Sequence, residues 1–143
     1  MIKIGSLVMA CFAIAAFSGC ANRATAKVDP SADFAALKTV HVVKIPEETA
    51  GINTLIADDL RGRGYTVSTS TEAVSNVDAV VTYVDRWMWD ITMYLLELTV
   101  TIREPKTDFP MATGNSLHGS LTRLSPREMV EEVMGNIFKE VKK

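Results

Sequence analysis

The chain has 143 residues, with 15 Lys plus Arg against 17 Asp plus Glu and a formal net charge of −2. That balance supplies no basic field for a phosphate backbone, so no nucleic-acid partner is expected. Its two cysteines, Cys11 and Cys20, both fall in the first twenty residues, which excludes a disulfide framework and a cysteine-based zinc site in the remainder.

Met1-Ile2-Lys3 carries one positive charge, Ile4 to Phe17 is an uncharged, mostly apolar run of fourteen, and Ser18-Gly19 are small residues directly before Cys20. This is the three-part pattern of a secretory leader. The run is shorter than the ~20 residues a spanning helix needs, which favours a cleaved leader over a retained anchor. Phe17-Ser18-Gly19-Cys20 resembles the bacterial lipoprotein box, although Phe17 stands where Leu is usual. The resemblance implies cleavage between Gly19 and Cys20, a diacylglycerol on the Cys20 thiol and an acyl chain on the new amino group. Two or more acyl chains give stable anchoring, because each buried methylene contributes ~0.8 kcal/mol. Ala21, where a retention signal would place Asp, implies delivery to the outer membrane with the domain facing the periplasm. Cys11 leaves with the leader.

The composition from Ala21 to Ser31 is polar and small, without hydrophobic periodicity, and reads as a flexible tether. The expected organisation is a signal peptide at 1–19, an acylated Cys and tether at 20–33, and one domain at 34–143. Thr39 to Lys44 is a β-branched run ended by Pro46, and Ile52, Leu55, Ile56 and Leu60 then recur at helical spacing between Gly51 and Gly64. Tyr65 to Ser70 returns to strand-forming residues, so strand, helix, strand predicts a right-handed crossover with two parallel strands. Asp78 to Asp90, Met93 to Arg103 and Met111 to Leu121 read as three further strands in an antiparallel meander.

Ser125, Pro126 and Glu128 spell a capped helix start, with Leu124 and Met129 as its hydrophobic staple. Met129, Val130, Val133, Met134, Ile137, Phe138 and Val141 follow as one apolar stripe, the mark of core packing. The fold expected is an α/β two-layer sandwich, a mixed five-stranded sheet in the order β-α-β-β-β-β-α with two helices on one face. Val28-Asp29-Pro30-Ser31-Ala32-Asp33-Phe34 and Leu37-Lys38-Thr39-Val40 resemble the opening of a family of small bacterial lipoproteins whose domain has no assigned function. That resemblance implies the same strand-helix-strand start and adds no catalytic residue.

Tyr83, Asp85, Trp87 and Trp89 alternate along one strand face. A two- or four-residue hairpin loop would place Trp89 opposite Tyr94, Trp87 opposite Leu96, Asp85 opposite Leu98 and Tyr83 opposite Val100. The other face would pair Arg86 with Glu97, Thr82 with Thr101 and Val84 with Thr99, the mixed chemistry of a solvated face. The aromatic stripe is therefore expected at the core or its edge. Trp87, Trp89, Tyr94 and Asp85 form the candidate binding surface where the sheet outruns its helices. Asp85, a carboxylate on an apolar face, needs a donor such as water, backbone or an indole N–H.

His41 and His118 fall with the polar sets of their strands and are expected to be exposed, with no ligand at metal spacing. Gly114-Asn115-Ser116-Leu117-His118-Gly119 lacks the spacing and the strand-to-helix turn of a nucleophile elbow. Arg61-Gly62-Arg63-Gly64 sits where a helix should end, with Gly64 as terminator. No catalytic set, metal site or cofactor beyond the Cys20 lipid is expected.

The function expected is a non-catalytic binding or envelope-assembly accessory at the outer membrane, held to lipid through acylated Cys20 and engaging an envelope protein or peptidoglycan. The alternative is a cell-envelope enzyme or small lipid or ligand carrier using a pocket near Asp85.

Overall fold

The segment expected as a tether contributes a strand. In the computed structural model, which describes residues 22–143, the elements are β1 (Arg23–Val28), β2 (Thr39–Val43), α1 (Ile52–Gly62), β3 (Thr66–Ser70), β4 (Ala79–Asp90), β5 (Thr92–Arg103), β6 (Pro110–Leu117) and α2 (Pro126–Val141). Gly19, Cys20 and the leader lie outside the described residues. The strands form one mixed six-stranded sheet in the order β1-β6-β5-β4-β2-β3, one more than expected. The small α/β class stands.

The extra strand has a physical cause that no local pattern announces. Arg23-Ala24-Thr25-Ala26-Lys27-Val28 is short of the branched and aromatic residues that mark strands. It becomes one because it satisfies the free edge of β6, pairing antiparallel from Arg23 opposite Leu117 to Val28 opposite Ala112. Ala26 and Val28 pack against the core, half-buried.

The two strands flanking α1 are parallel, as expected. β2 runs parallel to β3, with Val40 opposite Val67, and parallel to β4, with Val40 opposite Ala79. Gly51 starts α1 at φ 75 and Gly64 follows its end at φ 100, both in the left-handed region where glycine is free of strain. α2 begins with the expected capping box, in which Ser125 N donates to Glu128 Oε2 at 2.8 Å and Glu128 N donates to Ser125 Oγ at 3.3 Å. Hydrogen bonding from Ser125, its backbone N–H foremost, holds the Glu128 carboxyl below its usual range.

One core joins the helices to one sheet face. Ile52, Ile56 and Leu60 of α1 and Met129, Val133, Met134 and Ile137 of α2 are buried with Val42, Val81, Tyr83, Leu98, Val100 and Ile102 of the sheet. Gly114 permits the close approach of α2, since a Cβ there would lie 2.8 Å from Ile137 Cγ1 and 2.9 Å from Val133 Cγ1. The other sheet face is polar. There Glu97 accepts from Arg23 Nη2 at 2.8 Å, lies 3.2 Å from Arg86 Nη2, and accepts from Asn115 Nδ2 at 2.9 Å. The Asn115 bond foremost, with the two arginines, holds the Glu97 carboxyl below its usual range.

The β4–β5 register follows expectation from Val80 opposite Arg103 to Arg86 opposite Glu97 and then shifts by one. Beyond the bulge Trp87 faces Leu95, Met88 faces Tyr94 and Trp89 faces Met93, which corrects the expected Trp87–Leu96 and Trp89–Tyr94 pairs. The bulge gives β5 one unmatched residue, Leu96, and a bulge of this kind turns the strand locally. Leu95 thereby enters the core, while Tyr94 takes the opposite face with Met88. β6 also stops earlier than expected, at Leu117, because Ser120–Thr122 forms a single 3₁₀ turn.

Candidate binding cleft

Asp85 and Trp87 come together with the loop between β2 and α1. After Val43 the chain passes Ile45-Pro46-Glu47-Glu48, whose turn is closed by Glu48 N donating to Ile45 O at 3.1 Å. This loop and the bulged half of the hairpin enclose an open cleft of about 420 Å³, lined by Ile45, Glu47, Glu48, Thr49, Ala50, Asp85, Trp87 and Met93.

Tyr83 fixes the loop from below. Its hydroxyl accepts from Ile45 N at 3.3 Å and donates to Glu48 Oε2 at 3.2 Å. Burial pushes the Tyr83 phenol up to about 12, and the neighbouring Glu48 carboxylate adds to the rise. Glu48 is itself buried, and its Oε1 has no hydrogen-bond partner among the described residues. A buried carboxylate oxygen in that state is a ready acceptor.

Asp85 has the donor that its position demands. Trp87 Nε1 donates to Asp85 Oδ2 at 2.8 Å, so the indole neutralises part of the burial cost and the carboxylate fixes the ring. The cleft thus sets three acidic side chains, Glu47, Glu48 and Asp85, around an indole and the Met93 thioether.

The other two candidate residues lie elsewhere. Trp89 is two-thirds exposed near the hairpin tip. Tyr94 is buried on the opposite face, with the Arg123 guanidinium 4.4 Å from its ring centroid. Glu48 and Tyr83 had no sequence signal as a pair, since 35 positions separate them.

Neither histidine is exposed, contrary to expectation: His41 is buried and His118 half-buried. His41 sits in a central strand, where the chain following β3 covers it. Its Nε2 lies 2.9 Å from Glu72 O and its Nδ1 lies 2.8 Å from Ser68 Oγ. A carbonyl only accepts, so Nε2 is the donor in that bond. His118 follows β6 instead of lying within it, and its Nε2 meets Glu132 Oε2 of α2 at 2.8 Å. Ser116 is fully buried in β6, so it is not presented as a nucleophile. Among the described residues no group of His, Cys, Asp or Glu is placed to hold a metal ion, and no helix is long and apolar enough to cross a membrane.

No known family model and no curated protein matches the chain. Solved structures do. A PelC variant dodecamer from Paraburkholderia phytofirmans is similar at 15% identity and a TM-score of 0.56, over 81% of this chain and 96% of that one. A PelC dodecamer from the same organism in another crystal form gives 11% identity and a TM-score of 0.57, over 82% and 98%. A PDZ domain protein from Parabacteroides distasonis gives 14% identity and a TM-score of 0.50, over 82% of this chain and 35% of that one. At these identities the likeness is one of fold.

Proposed function

We propose that the chain is a lipid-anchored lipoprotein of the bacterial outer membrane, facing the periplasm, whose domain is a non-catalytic binding module for an envelope protein or for peptidoglycan. The observation that carries this reading is the lipoprotein box ending at Cys20, three positions ahead of the first strand at Arg23. Binding is favoured over catalysis because both histidines are engaged in structural bonds away from the cleft, His41 with Ser68 and Glu72 and His118 with Glu132.

The cleft supplies the binding chemistry. Three carboxylates beside an indole and a thioether suit a group that carries positive charge on an apolar stem, such as a lysine side chain or the amino group of a peptidoglycan peptide. Glu48 Oε1, without a partner among the described residues, is one acceptor for it.

Two experiments test the reading. Cys20→Ser should abolish labelling by a palmitate analogue and release the protein from membranes; fractionation like wild type would overturn the anchor. In a chemical-shift titration, N-acetyl-lysine amide should move the Trp87 indole N–H resonance while its uncharged glutamine counterpart leaves it in place, and Asp85→Asn should weaken the response. An indole signal indifferent to both ligands would remove the cleft from the proposal.

A further inference from the structure

The end of the β4–β5 hairpin carries apolar surface that the fold does not need. Seven large apolar side chains are exposed among the described residues, and four of them, Met88, Trp89, Ile91 and Met93, lie within this short stretch. Leu121, 90% exposed, joins them. Its neighbour Arg123 donates to Thr92 Oγ1 at 2.8 Å and to Asp90 O at 3.3 Å, so the turn that bears Leu121 is tied to the hairpin end.

Ile91 is the most telling member. It is 86% exposed and holds φ at 63, a left-handed conformation that a β-branched residue adopts only under strain. Glycine or asparagine would relieve the strain and the exposure together. An isoleucine placed there opposes both folding and solubility, which points to an apolar surface that receives it.

Strand direction says what lies at this end. Arg23 opens β1 opposite Leu117, Leu117 is opposite Glu97, and Glu97 is opposite Arg86. β1 runs from that row away from the hairpin end, so the chain before it joins on the hairpin side. There Thr122 Oγ1 meets Asn22 Oδ1 at 2.5 Å, which fastens the joining point to the turn bearing Leu121. From Arg23 back to Cys20 the chain spans at most ~10 Å. Along β4 the hairpin runs five residues past Arg86 to Ile91, ~17 Å at strand rise. A bilayer that holds Cys20 therefore meets Ile91 first.

We infer that the hairpin end, through Trp89, Ile91, Met93 and Leu121, seats in the interfacial layer of the same bilayer as a second, non-covalent contact. Trp89 suits that layer, where an indole keeps its ring in apolar surroundings and its N–H wet. The seat rests on the reading that Cys20 is acylated. It also sets the orientation of the domain: Met93 belongs both to the seat and to the cleft, so the cleft opens beside the membrane surface and its partner is engaged there.

The test uses the acylated mature protein with Trp87→Phe, which leaves Trp89 as its one tryptophan, in vesicles of phosphatidylethanolamine and phosphatidylglycerol with brominated acyl chains. Flotation reports the anchor and Trp89 emission reports the seat. The expected result is flotation with blue-shifted emission that loses most of its intensity to the brominated lipid. Adding Ile91→Asp should abolish the quenching while the protein still floats. A floating protein whose Trp89 emission is unquenched overturns the seat and leaves the anchor standing. Disulfide crosslinking of Ile91→Cys between copies, with Trp89 unquenched, overturns it in favour of a homomeric contact. A protein that fails to float overturns the anchor, and the seat falls with it.

Discussion

Tyr83 and Glu48 hold each other at 3.2 Å across 35 positions of sequence, the phenol rising from the middle of β4 and the carboxylate descending from the loop before α1. The phenolic oxygen also accepts from Ile45 N, so one hydroxyl secures two points of the loop that walls the cleft. Tyr83→Phe keeps the ring in the core and leaves the Ile45 N–H and the buried Glu48 without that partner. The expected loss is about 1–3 kcal/mol, the cost of leaving buried polar groups unsatisfied. Denaturant unfolding measures it, and amide exchange at Ile45 should accelerate beyond the global change.

The same phenol predicts an alkaline limit. Its folded pKa of about 12 lies above the ordinary value of 10.0, so the protonated form is favoured by folding. The contribution is complete below pH 10 and is lost as pH rises from there through about 12. Between those values the unfolded chain has released a proton that the folded chain keeps. Wild-type stability should therefore fall more steeply over this window than that of Tyr83→Phe, as measured by denaturant midpoints at successive pH. Parallel curves would show that Tyr83 ionises as freely in the folded protein as in the unfolded one.

These two residues also mark the boundary of what the sequence could show. Period and punctuation revealed α1, α2, the capping box, the parallel crossover and the Arg86–Glu97 pair, because each depends on residues a few positions apart or on simple strand alternation. The bulge after Arg86 depends on how one hairpin turns at Ile91, and it moved Tyr94 away from Trp87 and Trp89 without any compositional sign. Asp85 was visible as a misplaced carboxylate, and its indole donor is two residues away. Glu48 was not visible, since Pro46-Glu47-Glu48 reads as an ordinary solvated turn until Tyr83 arrives beneath it.

Packing between α2 and the sheet yields a paired prediction on two glycines. Gly114→Ala places a Cβ within 2.9 Å of both Ile137 and Val133, and overpacking of this kind costs about 1–3 kcal/mol. Gly135 lies inside α2, where a Cβ would meet nothing within 4 Å. Gly135→Ala should stabilise by about 0.5–1 kcal/mol through helix propensity. Thermal unfolding of the two variants should move in opposite directions, and a neutral Gly114→Ala would mean that α2 can shift away from β6.

The strand that replaced the tether is open to a direct trial. If Arg23 to Val28 only spaced the domain from the membrane, a chain beginning at Asp29 would fold as well as the longer one. In the sheet, that deletion exposes the whole edge of β6, removes the half-buried Ala26 and Val28 from the core margin, and strips Glu97 of its Arg23 partner. A small domain has only ~5–15 kcal/mol of net stability to lose. The expected outcome is a large fall in the unfolding midpoint together with aggregation through the bared β6 edge. Arg23→Ala alone should be mild, because an exposed ion pair contributes at most ~1 kcal/mol. A shortened chain that unfolds at the wild-type midpoint would return these residues to the role of a spacer.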